Sequence, residues 1–275
     1  MTAGSALVRA AQVLGLRLDA ELLLAHVLDV SRASVVARDD RELTPEELGD
    51  FERLLARRAV GEPLAYLVGF KEFWSIELEV TPATLVPRPE TELLVEWALA
   101  LMPRRGDGMH VLDLGTGSGA IALAIARECP RALVTGGDIS GDALAVARRN
   151  ARRLNVGNVN FRHAPYLDAY AQFNLIVSNP PYVAEADPHL ADLKFEPRIA
   201  LTSGADGLDA LRIIIAKAPD HLRPEGWLIV EHGAQQGAAV RELFAKAGFG
   251  AIETRRDLAG HERATGGRRP VSSRA

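Results

Sequence analysis

Four consecutive residues, Asn179-Pro180-Pro181-Tyr182, combine the groups needed to hold a flat amino group. They follow an apolar run at 173–178 that is typical of a buried strand. Proline has no N–H and forces the residue before it into an extended conformation. The carbonyl oxygen of Pro180 is therefore held rigidly beside the side-chain amide of Asn179. Two fixed acceptors can take both hydrogens of a planar –NH₂ group, and Tyr182 offers a flat surface for its plane.

The chemistry that suits this tetrad is methylation of an amide or amino nitrogen that is conjugated to a π-system. The lone pair of such a nitrogen is delocalised, so the nitrogen is a poor nucleophile. Accepting its hydrogens, aligning it with the methyl donor and excluding water can supply about 7–11 kcal/mol of barrier reduction. No strong base is required, because the proton can leave to water after transfer.

A glycine-rich turn, Gly115-Thr116-Gly117-Ser118-Gly119, lies between a predicted strand at 111–114 and a predicted helix at 120–128. Glycines let a ligand approach the backbone, and the helix start offers unpaired N–H groups. The spacing is G-x-G-x-G and not the G-x-G-x-x-G of dinucleotide sites. Asp138, at the end of the next predicted strand, can accept hydrogen bonds from both hydroxyls of a ribose. The pair resembles the S-adenosylmethionine pocket of the seven-strand methyltransferases, and NAD fits less well.

The elements around these motifs predict an α/β fold. From residue 109 on, strands at 111–114, 132–136, 159–161, 175–177 and 227–230 alternate with helices, with Ser140 as the cap of the second helix. Such alternation predicts a parallel sheet that is covered on both faces. The basic, glycine- and serine-rich end at 266–275 is expected to be frayed.

The first third of the chain has a different character. Residues 1–60 are predicted to form helices. Thr44-Pro45-Glu46-Glu47 is a capping box with proline at the first helical position. Residues 72–87 then alternate apolar and polar, as a hairpin does. We therefore predict a helical domain at 1–71, a β-hairpin linker at 72–87 and a methyltransferase domain at 88–275.

The composition is that of an ordinary globular protein. The 275 residues are 48% hydrophobic and 25% charged, with one cysteine and a net charge of −4. The acidic balance argues against a protein that holds nucleic acid by charge alone, and no histidine or cysteine spacing suggests a metal site. One cysteine and the lack of a signal or membrane-spanning segment lead us to expect a cytoplasmic protein.

Several further segments carry a family resemblance over nearly the whole chain. The sequence resembles the HemK/PrmC family, the glutamine methyltransferases that act on peptide chain release factors. The resemblance rests on the tetrad, the glycine turn and these segments: Gly61-Glu62-Pro63, Glu72-Phe73-Trp74, 85–92 (Leu-Val-Pro-Arg-Pro-Glu-Thr-Glu), Phe195-Glu196-Pro197, Glu231-His232-Gly233, Arg256-Asp257 and Glu262-Arg263.

The resemblance implies a Rossmann-like seven-strand domain that uses S-adenosylmethionine, with a small N-terminal domain that helps to recognise the release factor. The target would be the glutamine of the Gly-Gly-Gln motif in class 1 release factors. It implies cofactor contacts at Gly115 to Gly119, Asp138, Tyr166 and Asn179, and a glutamine site at 179–182, with Asn179, Pro180 and Tyr182 catalytic. The family often has an acid just before the aromatic position, where this chain has Pro165, so we expect stacking on Tyr166 to replace it.

Other interpretations stay open at this stage. An adenine-N6 methyltransferase also acts on an amino group of a conjugated ring, and a non-catalytic adaptor could bind translation factors through the helical domain. Arg88 and Glu90 fit either the mouth of the cofactor site or a structural ion pair. His232 is expected in the core.

Overall fold

The computed structural model describes residues 1–103, 106–167 and 172–271. The chain divides into two compact units, Met1–Phe70 and Lys71–Ala275. One hydrophobic core lies in the first unit, and two lie in the second.

The first unit is helical. Its core is built on Leu23, Leu24 and Phe51, which are fully buried. The capping box is present: the Thr44 N–H donates to Glu47 Oε2 (2.9 Å), and the Glu47 N–H donates to Thr44 Oγ1 (3.2 Å). The helices are α1 (Ala3–Leu14), α2 (Arg17–Leu28), α3 (Arg32–Ala37), α4 (Pro45–Ala59) and α5 (Leu64–Val68).

A two-stranded hairpin follows, formed by β1 (Phe70–Phe73) and β2 (Ile76–Glu79). Both turn residues, Trp74 and Ser75, have positive φ angles of 50° and 55°, as tight hairpin turns require. The strands are shorter than the predicted hairpin at 72–87. From Lys71 on, the hairpin belongs to the second compact unit.

The second unit is an α/β sandwich. Its strands are β3 (His110–Leu114), β4 (Leu133–Asp138), β5 (Val159–His163), β6 (Phe173–Ser178), β7 (Leu222–Glu231), β8 (Gly250–Arg256) and β9 (Glu262–Arg268). Its helices are α6 (Glu92–Leu101), α7 (Ala120–Glu128), α8 (Gly141–Arg153), α9 (Asp209–His221) and α10 (Gly237–Lys246). In the described residues, the seven strands form one sheet in the order β5-β4-β3-β6-β7-β9-β8.

Neighbouring strand residues face opposite sides of this sheet. Val111 and Ile229 pack with α6, α7 and α8, whereas Leu112 and Leu228 pack with α9 and α10. All of these side chains are fully buried. Helices thus cover both faces of the sheet, as the strand-helix alternation predicts.

The prediction that the chain is frayed from residue 266 on is wrong for the first three of these residues. Residues up to Arg268 are not frayed, because β9 inserts between β7 and β8 and runs antiparallel to both, so that the sheet is mixed. The two glycines that suggested a loose tail are required by packing. A Cβ at Gly266 would lie 2.9 Å from the Trp97 ring, and one at Gly267 would lie 2.7 Å from the Phe244 ring. Residues 272–275 lie outside the described part of the chain.

Candidate active site

The segments singled out from the sequence lie at the ends of four adjacent parallel strands. In the spatial order β4, β3, β6, β7, the strands end at Asp138, at Leu114 before the glycine turn, at Ser178 before Asn179, and at Glu231. Chain order reverses between β3 and β6, and open α/β sheets bind ligands at such a point.

The glycine turn leaves β3 with positive φ angles of 76° at Gly115, 56° at Gly117 and 87° at Gly119. A Cβ on Gly117 would meet no protein atom within 4 Å, so the space beside this backbone is open. A Cβ on Gly119 would lie 3.0 Å from Leu123. Gly117 therefore faces the ligand space, and Gly119 leaves room for the Leu123 side chain of α7.

One pocket collects most of the predicted site residues. Two of them, Gly119 and Tyr182, are not in its wall. The wall is lined by the other predicted residues, namely Gly115, Thr116, Gly117, Ser118, Asp138, Tyr166, Asn179, Pro180 and Pro181.

Asp138 is half-buried at the edge of the glycine turn. Its Oδ2 accepts from the Gly117 N–H (2.9 Å) and its Oδ1 from the Ser140 N–H (2.8 Å). Burial raises the pKa of this carboxyl, and these backbone donors act in the opposite direction. A carboxylate has about four acceptor positions, so each oxygen keeps capacity for a ribose hydroxyl.

We predict that Asp138→Ala weakens S-adenosylmethionine binding by about 1.5–3 kcal/mol, the scale of a hydrogen bond to a charged acceptor. Asp142→Ala is the matched control, because Asp142 is exposed in the first turn of α8. Titration calorimetry on both variants measures the effect. Equal affinity in Asp138→Ala and the wild type would remove Asp138 from the site.

Tyr166 lines the pocket, with a positive φ of 45° and 38% of its surface exposed. Ile139, which directly follows Asp138, also lines the pocket and is half exposed; the sequence analysis missed it. Pro165 offers no donor or acceptor side chain here. Asp168, the nearest acid along the chain, lies outside the described residues.

We expect Tyr166→Ala to weaken S-adenosylmethionine binding by about 1–3 kcal/mol, the range for stacking of a base on an aromatic ring. Tyr166→Phe keeps the ring and should bind like the wild type. Affinity is compared for the cofactor and an analogue whose purine lacks the amino group. Strong discrimination by the wild type would show that a polar group reads the amine and that stacking alone is the wrong explanation.

Asp113 supports the turn from beneath and is fully buried. Its Oδ2 accepts from Thr116 Oγ1 (2.6 Å) and from the Ala122 N–H (3.0 Å), while Oδ1 has no partner among the described residues. Burial raises the pKa of Asp113 to about 7, and the negative charge of Asp138 adds to the shift. The turn is thus held by an acid that burial shifts toward its protonated form.

This shift has a definite sign for stability. Asp113 binds its proton more tightly in the folded state, so its contribution favours folding at low pH and is lost as the pH rises toward about 7. Between pH 5 and about 7, the free energy of unfolding of the wild type should decrease by about 1.4 kcal/mol per pH unit through this group. Asp113→Asn lacks the titrating group, so its free energy of unfolding should decrease less over the same range. Denaturant titrations without cofactor measure it; identical pH dependence in both proteins would contradict the assignment.

The tetrad is fixed from several sides. Asn179 Nδ2 donates to Thr91 Oγ1 (3.0 Å), whereas no described residue donates to Asn179 Oδ1 or to the Pro180 carbonyl. The carbonyl of Tyr182 accepts from Gln236 Nε2 (3.1 Å). A Cβ on Gly207 would lie 2.2 Å from that carbonyl oxygen, so a glycine is required there. Two acceptors are thus left available on a rigid backbone.

Behind the tetrad lies Glu231, which is 1% exposed. Its Oε2 accepts from Thr91 Oγ1 (2.7 Å), and its Oε1 accepts from the Tyr182 hydroxyl (3.0 Å). Burial raises the pKa of Glu231 to about 7, and the hydrogen bonds from Thr91 and Tyr182 act against the shift. Burial and the neighbouring Glu231 charge raise the pKa of Tyr182 well above its usual range. The Tyr182 ring is therefore anchored through its hydroxyl.

Three residues that the sequence analysis gave no role complete this region. Thr91 and Glu231 lie within segments already quoted for the family resemblance, but they are 140 positions apart, and nothing local indicates that they touch. Glu196 is buried and accepts from the Arg88 guanidinium and from the Val86 N–H (3.0 Å). Arg88 also lines the pocket. It therefore borders the cofactor site and forms a structural ion pair, which were the two alternatives from the sequence.

His232 is in the core, as expected. It is fully buried, and its ring nitrogens meet the Gly233 carbonyl (2.9 Å) and Thr265 Oγ1 (2.9 Å). Among the described residues, no group of three or more His, Cys, Asp or Glu side chains could hold a metal ion. The described helices include none long and apolar enough to cross a membrane.

The pocket fits S-adenosylmethionine. Open space beside Gly117 admits a ligand against the backbone, Asp138 keeps acceptors for a ribose, and Tyr166 supplies an aromatic face. The tetrad lies at the end of the neighbouring strand, where a methyl acceptor has to be. The fold and this site define a methyltransferase that uses S-adenosylmethionine.

Comparison with known proteins is more specific. Residues 1–69 match the PrmC N-terminal domain family, and residues 105–258 match a methyltransferase domain family. The release factor glutamine methyltransferase of Xylella fastidiosa (strain Temecula1) is 51% identical over 92% of this chain and 94% of its own. That of Pseudomonas aeruginosa is 50% identical over 90% of this chain and 91% of its own.

A solved structure agrees on the fold. The methyltransferase from Pyrococcus furiosus covers 80% of this chain and 100% of its own, with a TM-score of 0.56 at 19% identity. On the identities and coverage of the relatives, the chain belongs to the family of release factor glutamine methyltransferases.

Proposed function

We propose that this enzyme transfers the methyl group of S-adenosylmethionine to the side-chain amide nitrogen of the glutamine in the Gly-Gly-Gln motif of class 1 peptide chain release factors. The observation that carries the proposal is the pair of available acceptors, Asn179 Oδ1 and the Pro180 carbonyl oxygen, on the rigid strand end beside the cofactor pocket. Relatives that match nearly the whole chain bear the corresponding name.

The acceptors suit a primary amide for an electronic reason. A glutamine side chain presents a planar –NH₂ group with two N–H donors and no available lone pair in the plane. Asn179 and Pro180 accept those hydrogens and thereby set the plane of the amide. Such positioning is worth most when the interaction is strongest in the transition state.

Each part of the site then has one task. The cofactor supplies an electrophilic methyl group on a sulfonium. Asn179 and Pro180 orient the target nitrogen, and the glycine turn and Asp138 bind the donor. Tyr182, anchored on Glu231 outside the pocket wall, holds the end of the tetrad in place. No side chain of the tetrad has to act as a base, because the methylated amide loses its proton to water.

The helical domain at 1–71 is proposed to recognise the folded release factor. Residues 1–69 match the N-terminal domain family that is named for these enzymes, and the first unit carries its own core. Residues 1–80 hold 9 basic and 14 acidic side chains, which suits a protein partner better than a nucleic acid. A cytoplasmic location follows from such a substrate.

The test is labelled methyl transfer from S-adenosylmethionine to purified release factor by the full-length enzyme. A release factor whose motif glutamine is replaced by alanine is the matched substrate control and should accept no label. Double-stranded DNA at low and high salt tests the adenine-N6 alternative. Labelling of DNA with no labelling of release factor would overturn the proposal.

A further inference from the structure

We propose that Glu231 and Thr91 are positioning residues that determine which side of the Asn179 amide faces the substrate. This inference rests on the proposed function and deepens it. It starts from a continuous chain of hydrogen bonds: Asn179 Nδ2 to Thr91 Oγ1 (3.0 Å), and Thr91 Oγ1 to Glu231 Oε2 (2.7 Å). Glu231 has no contact with the pocket and acts only through this chain and through Tyr182.

The direction of each bond is set from the carboxylate outward. Above its pKa of about 7, Glu231 is ionised and can only accept hydrogen bonds, so the Thr91 hydroxyl donates its single hydrogen to Glu231. The Thr91 oxygen is then left with lone pairs alone toward Asn179. It can accept from Nδ2 but cannot donate to Oδ1. The amide is thereby held with Oδ1 away from Thr91.

The opposite orientation would be harmful. If the Thr91 hydroxyl donated to Asn179 Oδ1, the amide would turn over, and its –NH₂ group would meet the –NH₂ group of the substrate. Two donors that face each other make no hydrogen bond, and a buried donor without a partner costs about 1–3 kcal/mol. A free asparagine amide has no strong preference between the two orientations, so an external group must choose.

The surroundings of the chain support a dedicated role. Thr91 borders the pocket but is only 4% exposed, and Glu231 is 1% exposed, so little water reaches these bonds. The second carboxylate oxygen accepts from Tyr182 (3.0 Å), which keeps Glu231 from rotating. One buried acid therefore fixes both polar side chains of the tetrad, although it lies 52 positions from Asn179.

Thr91→Val and Thr91→Ser test the relay with almost no change of volume. Valine has the shape of threonine without the hydroxyl, whereas serine keeps the hydroxyl. We expect Thr91→Val to lower kcat on release factor about tenfold or more, the scale of one misplaced hydrogen bond. The KM for release factor and the affinity for S-adenosylmethionine should stay within a few fold. Thr91→Ser should restore most of kcat.

Two combinations separate positioning from independent effects. If Thr91 acts through Asn179, Thr91→Val should lower kcat no further in a protein that already carries Asn179→Ala. If Glu231 acts through Thr91, Glu231→Leu should lower kcat in a Tyr182→Phe background, where the tyrosine arm is already removed. Thermal unfolding and cofactor binding of each variant confirm that it is folded.

The failures are distinguishable. A wild type that labels no release factor defeats the proposed function itself. If the wild type labels release factor but Thr91→Val keeps full kcat, the function stands and the relay is overturned. The relay is also overturned if the losses in Thr91→Val and Asn179→Ala multiply in the double variant. Loss in Thr91→Ser equal to that in Thr91→Val would also overturn it.

Discussion

Asn179→Ala is expected to lower kcat for methylation of release factor by about 10²–10³, the loss seen when one preorganised hydrogen-bonding group is removed from an active site. The reason is the available Oδ1 acceptor, which is fixed by Thr91 on the other side of the amide. The affinity for S-adenosylmethionine should remain within a few fold. Turnover and cofactor binding are measured on the same preparation.

The matched control for this variant is Asn160→Ala, which removes an exposed asparagine on β5 outside the pocket wall. It should behave like the wild type. Turnover retained by Asn179→Ala would show that the substrate amide is held elsewhere. A parallel loss of cofactor affinity would assign Asn179 to the cofactor.

Removal of residues 1–70 should lower kcat/KM on intact release factor about a hundredfold, the scale of losing a hot spot from an interface. The physical reason is that the second unit carries its own core and sheet, while the recognition surface is assigned to the helical unit. S-adenosylmethionine binding should persist, because all residues of the pocket wall lie between 83 and 214.

A short Gly-Gly-Gln peptide makes this result specific. It enters the site without a folded partner, so the full-length and shortened enzymes should methylate it equally well. If both enzymes act equally on intact release factor, the helical unit does not recognise it. If the shortened enzyme fails on the peptide too, the first unit is needed for the catalytic site itself.

Much of the fold can be read from the sequence because its signals are local. The strand from Val111, the turn and the helix at Ala120 follow one another with clear periodicity, and the Ser140 side chain accepts from the Ala143 N–H as its cap. Both termini of such elements depend on neighbouring residues only. Their packing into two covered faces follows from the same alternation.

The last two strands could not be read in this way. In β8 and β9, arginine, threonine and glycine occupy positions that periodicity assigns to apolar side chains. Gly266 and Gly267 are buried because the rings of Trp97 and Phe244 fill the space of their missing side chains. Those rings are far away in sequence, so the reason for the glycines appears only in the folded protein.

In the candidate site, too, the residues with a local sequence signal could be predicted, and those that depend on distant contacts could not. Gly117, Asp138 and Asn179 stand out because each belongs to a short motif at a strand end. Thr91 and Glu231 also lie in segments that carry the family resemblance, but nothing local indicates their contact across 140 positions, which gives them their role. Spacing in the sequence locates the groups that touch ligands, and only the structure locates the buried group that orients them.

The most direct test of the central claim is to map the methylated atom. Purified release factor is incubated with the full-length enzyme and S-adenosylmethionine that carries a labelled methyl group, and the product is digested and sequenced by tandem mass spectrometry. We predict a single methyl group on the side-chain amide nitrogen of the Gly-Gly-Gln glutamine. A methyl group on any other residue, or on the backbone of the motif, would contradict it.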